Sequence, residues 1–252
     1  MADILSKSNY LNKEITFLKN VLITEFDLKA ASLSVIKNLK LLPETEIDYI
    51  SKLPKKARVV KVGLEIKKNP ELGNKINTEF ERVRREFISR NNISTERILS
   101  IKKDAIFTIN ESPTILEFDG YTFVRKNVYT SYFYANGKEF YYNSITNTLD
   151  VKGVSEETRK YHRDYLFKDI SKILLNSEKF DDRRTVYNYL RTYRNRYLSK
   201  SLNPEIYREI DSEMFRIKDF FMADFRADML DDLDISQNYI QYILPLIQNI
   251  LR

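Results

Sequence analysis

The 252-residue chain has no cysteine, no tryptophan and a single histidine, His162. Without thiols it can build neither a disulfide framework nor a thiolate metal site, which suits a reducing compartment. One imidazole cannot furnish a multi-histidine zinc site, and a Ser-His-Asp triad is close to excluded. Metal chemistry in this chain has to run on carboxylate oxygens, so Mg²⁺ or Mn²⁺ is the expected cofactor. No apolar run approaches the ~20 residues of a membrane span, and the stretch from Met1 to Lys7 carries no signal-peptide pattern. The expected setting is the cytoplasm, with no membrane partner.

What the chain does contain is an ordinary globular balance, with 31% charged and 42% hydrophobic residues. A net charge of +6 favours polyanionic partners. The length allows one core, or one domain with a helical appendage. Richness in Lys, Ile and Asn fits an AT-rich bacterial or phage genome.

Two stretches organise the rest. From Ile98 to Ile109, apolar residues run in and out around Lys102-Lys103-Asp104, the pattern of two strands joined by a charged turn. Lys-Lys-Asp between strands is also ordinary solvated turn chemistry. Far upstream, Val21 to Asp27 is a β-branched, apolar run that passes into a helix start at Lys29 to Ile36. An aspartate ending a central strand, beside a hairpin tip that carries another, can clamp divalent cations.

The order of these elements resembles the palm of family B DNA polymerases. That family carries D-x-x-S-L-Y-P-S-I after a strand and Y-G-D-T-D-S-I-F at a hairpin tip. Asp27-Leu28-Lys29-Ala30-Ala31-Ser32-Leu33-Ser34-Val35-Ile36 is similar to the first, and Ser100-Ile101-Lys102-Lys103-Asp104-Ala105-Ile106-Phe107 to the second. The resemblance implies that Asp27 and Asp104 are the metal-binding, catalytic aspartates, with the Leu28 carbonyl as a further ligand. The earlier aspartate of the hairpin pair is Lys102 here. Ser32 stands where the family places the tyrosine that stacks under the nucleotide sugar, which implies weak discrimination against ribose.

Two later segments follow in the same order. Arg125-Lys126-Asn127-Val128-Tyr129 looks like the K-K-x-Y motif, whose basic groups touch the duplex backbone. Leu149-Asp150-Val151-Lys152-Gly153-Val154 is similar to the strand leading from palm to thumb. There is no room for exonuclease and amino-terminal domains, so the resemblance covers palm and thumb only.

Residues 1–20 read as an edge strand or a short helix, with Ile15, Phe17 and Leu18 as core contacts. The stretch from Glu44 to Arg90 reads as helical, broken at Pro54 and at Asn69-Pro70, with Ile76, Phe80, Val83, Phe87 and Ile88 on one face. It lies where the family keeps its fingers. Lys29, Ser32, Arg58 and Lys61 are the expected nucleotide-binding residues, although Lys- and Arg-rich helices commonly have only a solvated face. The family's K-x-x-x-N-S-x-Y-G helix is not recognisable.

From Ile98 to Val154 the texture is β. Tyr121 to Val124, Tyr129 to Tyr134 and Lys138 to Tyr142 read as strands, the last two joined at Asn136-Gly137. Their alternating Tyr and Phe read as cross-strand packing rather than base stacking. Ser155-Glu156-Glu157 reads as a helix cap, with His162 a packed helix residue. Asp182 to Lys200 interleaves arginine with tyrosine, either a phosphate-contacting face or an amphipathic helix with buried Tyr and solvated Arg. Pro204 opens a third segment, and Met222-Ala223-Asp224-Phe225 and Ile240 to Leu251 read as further helices.

The expected architecture is α+β: an antiparallel palm-like domain over residues 1–154 with a helical insertion at about 44–92, then an all-helical thumb-like domain over 155–252. The implied activity is two-metal nucleotidyl transfer on a DNA primer-template, from a phage-encoded enzyme or one subunit of a split polymerase. Nucleoside triphosphate and other replication subunits are the expected partners, and Arg125, Lys126, Tyr129, Lys152, Arg191 and Arg194 the expected nucleic-acid contacts. Lys102 and the missing fingers helix leave open a palm that survives only as a nucleic-acid-binding or complex-forming module. An unrelated α+β protein that binds another protein is a third reading.

Overall fold

A computed structural model describes residues 3–135, 137–153, 164–207 and 231–251; the side chains of residues 164–168 and 205 fall outside that description. The chain is α+β, and among the described residues two sheets contain antiparallel pairs. In chain order the strands are β1 (Asn9–Leu11), β2 (Phe17–Leu18), β3 (Ile23–Leu28), β4 (Ile98–Lys102), β5 (Ala105–Ile109), β6 (Glu117–Phe118), β7 (Tyr121–Tyr129), β8 (Ser131–Ala135), β9 (Lys138–Asn143) and β10 (Thr148–Lys152). The helices are α1 (Ala31–Asn38), α2 (Glu44–Lys52), α3 (Lys55–Lys68), α4 (Pro70–Arg90), α5 (Asp164–Lys179), α6 (Arg183–Leu198), α7 (Asp232–Asn238) and α8 (Leu244–Ile250). The amino-terminal stretch, open between strand and helix in the sequence, forms a 3-10 turn at Ile4–Ser6 and then β1 and β2.

Contacts divide the chain into two compact units, one of residues 1–13 with 22–128 and one of residues 14–21 with 129–252. The first unit is built on a six-stranded sheet in the order β1-β4-β5-β3-β7-β6. Every residue of β5 is buried, and every residue of β3 except Asp27. α2, α3 and α4 break where proline and asparagine dictate. Pro43 and Pro54 precede α2 and α3, and the Asn69 side chain accepts the Glu71 N–H at 3.2 Å, with Pro70 in the first turn of α4.

α4 puts Leu72, Ile76, Phe80, Val83 and Phe87 at helical spacing against the sheet. Phe87 is fully buried, its ring 5.5 Å from Phe26 and 4.2 Å from Phe123. A buried polar tie joins α4 to β7: the Tyr121 hydroxyl donates to Glu79 at 2.8 Å, and Arg82 donates to the same carboxylate.

The second unit holds a four-stranded sheet in the order β10-β9-β8-β2. The aromatic hairpin is cross-strand packing, with Tyr132 opposite Tyr141 and Phe133 opposite Phe140 in register and rings 5.0 and 5.4 Å apart. The strand expected over Tyr129 to Tyr134 is interrupted at Thr130, whose N–H donates to the Tyr142 carbonyl at 2.8 Å.

The unit boundary differs from the expected one at residue 154, and the second unit is not all helical. Phe133, Phe140, Tyr142 and Val151 of the sheet share a core with Ile173, Leu190, Tyr197, Ile243 and Leu246 of the helical stretches. That common apolar face draws the hairpins into the carboxy-terminal unit. Asn136, the Ser155-Glu156-Glu157 cap, His162 and Met222 to Phe225 lie outside the described residues.

Asp169 on α5 is 2% exposed, and one of its carboxylate oxygens has no hydrogen-bond partner. Burial pushes its pKa up to about 7. An acid whose folded pKa exceeds its unfolded value contributes stability below the ordinary carboxylate range and loses it as pH rises through the folded value. Thermal melts of the wild type should therefore drop between about pH 4 and 7, and those of Asp169→Asn should drop less. Phe87→Ala should cost the first unit about 3–5 kcal/mol in urea denaturation, because the three-ring contact leaves a cavity that the rigid sheet cannot close.

Candidate carboxylate site

Glu25 and Asp27 are two residues apart on β3, so the strand's period of two sets both on one face. Asp27 lies in register with Ala105, the first residue of β5. The pairing of Lys102 with Ala105 leaves Lys103 and Asp104 as a two-residue connection, with Lys103 at a φ of 56°. The two aspartates therefore meet at the same end of the sheet, close enough that the Asp27 charge acts on Asp104.

The hairpin tip is held from outside. The Lys103 N–H donates to the Ser8 carbonyl at 2.6 Å. Arg84, 3% exposed on α4, donates to the carbonyls of Lys103 at 2.5 Å, Leu5 at 3.0 Å and Lys7 at 3.3 Å. Those three carbonyls satisfy most of a buried guanidinium and fix the backbone that presents Asp104.

Burial pushes the Asp104 carboxyl above its ordinary range, and the Asp27 charge pushes it further. Lys126, on β7, places its ammonium 3.1 Å from Asp27 and 3.4 Å from Glu25. Burial works against that ammonium, but the hydrogen bond to Asp27 and the Glu25 charge outweigh it, and the Lys126 pKa rises. Glu25, 2% exposed, also accepts the Asn127 side-chain amide at 2.6 Å.

Glu25, Arg84 and Asn127 were not singled out in the sequence. The signal for Glu25 was its spacing from Asp27 on a strand; for Arg84 it was a place on the apolar stripe, four residues after Phe80.

The other expected residues are more scattered. Lys29 is exposed, and its backbone N–H donates to the Thr122 carbonyl at 2.9 Å. Ser32 is half-buried in the first turn of α1, and the Leu28 side chain is buried. Lys61 pairs with Glu65 at 2.6 Å and Glu46 at 3.1 Å, so its charge is already matched. Arg58, one turn away on α3, has a buried Nε without a hydrogen-bond partner. Arg125 is exposed on β7.

In the second unit, Tyr129 is buried and donates its hydroxyl to Asp150 at 3.0 Å, which Lys152 also meets at 2.7 Å. Arg191 and Arg194 are exposed on α6. The structure thus joins Asp27, Asp104 and Lys126 in one site, and occupies Lys61, Tyr129 and Lys152 with other partners.

Among the described residues no three His, Cys, Asp or Glu side chains form a metal-holding group. The donor chemistry of Asp27 and Asp104 still fits a hard cation. Mg²⁺ is commonly bound by one or two carboxylates together with water and substrate phosphate, and a cation would relieve the repulsion that raises Asp104.

Fold and site together define an α+β protein with antiparallel pairing and a paired-aspartate cluster at one sheet end. The chain belongs to the Bacteriophage PBS1 gene 130 protein family, whose model matches residues 1–252. No curated protein matches it in sequence. Among the described residues no helix is long and apolar enough to cross a membrane.

The raised pKa of Asp104 sets a sign. Its ionised form opposes folding above the ordinary carboxylate range, so Asp104→Asn should raise the melting temperature at neutral pH by about 2 °C, and the gain should shrink as the pH is lowered toward that range. A melt of Asp104→Asn below that of the wild type at neutral pH would contradict this.

Proposed function

We propose that the chain is a polymerase-type nucleotidyl transferase acting on a nucleic-acid primer-template with Mg²⁺ or Mn²⁺. The observation that carries this reading is the meeting of Asp27, at the end of a central strand, with Asp104, at a hairpin tip. The strand order β4-β5-β3-β7, with four helices between β3 and β4, supports a split βαβ palm.

In this reading Asp27 and Asp104, with the Leu28 carbonyl, hold the cation. A bound divalent cation would supply Lewis acidity toward the primer 3′-hydroxyl and charge neutralisation at the leaving pyrophosphate. Lys126 pairs with Asp27 and Glu25 and orients them, and moves toward a phosphate when one is present. Arg58, Lys61 and Lys29 meet the triphosphate, Lys61 by exchanging Glu46 and Glu65 for phosphate oxygens. Ser32 lies under the sugar. Arg125 and Lys126 face the duplex.

A second reading has its own observation. Lys126 already neutralises Asp27 and Glu25, and Lys61 is matched by two glutamates, as in a palm kept for nucleic-acid binding or for assembly with replication subunits. Primer extension with each cation separates the two. The enzyme reading expects extension that falls on the order of a thousandfold in Asp27→Asn and in Asp104→Asn. Duplex binding without extension under any condition would leave the module.

A further inference from the structure

A different face of the chain carries its own ligand chemistry. Over its 16 residues α6 contains Arg183, Arg184, Arg191, Arg194 and Arg196 and no acidic residue. Its core stripe is Val186, Leu190, Tyr193 and Tyr197. Tyr187, Arg191 and Arg194 recur at helical spacing beside that stripe and lie along one exposed edge.

Against this edge stands the carboxy-terminal helix, and the two line an open pocket of about 330 Å³ whose apolar floor is Leu190, Ile247 and Leu251, with Asn195 also in the lining. That is near the lower end of ligand-sized clefts, about 300–1,000 Å³. Tyr187 forms a wall and is 49% exposed, and Arg191 and Arg194 form the rim. Among the described residues neither arginine has a carboxylate partner. The Arg194 guanidinium lies 5.8 Å from the Tyr239 ring centroid, in the π-helical turn Tyr239–Ile243 that precedes α8. That contact orients the group without neutralising it.

An apolar floor, an exposed phenol ring and two guanidinium groups without a carboxylate partner among the described residues match a planar apolar body joined to an anion. We propose that this pocket binds single-stranded nucleic acid, with a base against Tyr187 and the apolar floor, and with flanking phosphates on Arg191 and Arg194. Duplex DNA fits poorly, because its bases are stacked inward and cannot enter a pocket. A chain of carboxylates satisfies the rim and leaves the floor and Tyr187 without a partner. The assignment rests on the second unit alone and does not depend on the carboxylate site.

The test is fluorescence anisotropy of the full chain with labelled oligo(dT) in EDTA, at salt from about 50 to about 200 mM. Because no divalent cation is present, failure of the polymerase reading leaves this measurement untouched. Tyr187→Ala should weaken binding roughly tenfold with no change in salt slope, and Tyr187→Phe should restore it. Arg191→Ala and Arg194→Ala should each lower the slope by about 0.7. All three side chains face solvent, so the variants should fold, and the Phe variant controls for the tyrosine. Wild-type affinity in Tyr187→Ala would overturn the proposal. So would displacement of the strand by poly-glutamate, by duplex DNA or by dTMP as effectively as by unlabelled oligo(dT); these point to a general anion surface, a backbone-reading surface and a free-nucleotide pocket.

Discussion

Two carboxylates held at one end of a rigid sheet are the constraint on which the first unit turns. β3 and β5 are buried along nearly their whole length, so their register cannot slip without turning an apolar set toward solvent. That register fixes Asp27 beside the β4–β5 tip, and Arg84 and Ser8 fix the tip itself. Repulsion between the acids, added to burial, is a cost that the local structure does not remove. Lys126 offsets the charge of Asp27 and Glu25, and Asp104 stays raised.

The second unit solves a different problem. Its core is aromatic, with Phe133, Phe140, Tyr142, Tyr197 and Tyr207 filling the space between hairpins and helices. The same residue type serves inside and outside: Tyr193 and Tyr197 are buried on α6 while Tyr187 stands in solvent. The arginines between them have no acid within their own helix. In the first unit, by contrast, Lys61, Arg82 and Arg85 are each matched to carboxylates. Counting basic residues along the chain does not distinguish these two environments.

Much of the fold was legible. Proline and asparagine breaks placed α2, α3 and α4, and the spacing from Ile76 to Ile88 named the buried face of α4. The hairpin around Lys103 and Asp104 followed from apolar runs of strand length on either side. The domain boundary did not follow, since alternating Tyr and Phe show that a hairpin has a buried face but not which helices cover it. Residues 14–21 joined the second unit through the pairing of β2 with β8, a contact over more than a hundred residues with no local signal.

The sequence by itself determined the elements, the exclusion of thiolate and multi-histidine chemistry, and the two aspartates as the acids to follow, because periodicity, breakers and residue inventory are local properties. Tertiary structure alone decided which charges meet. Lys126 turned to Asp27 and Glu25, Lys61 on α3 found Glu46 on α2, and Arg84 reached three carbonyls, since a long side chain takes whichever partner the folded backbone brings within hydrogen-bond distance.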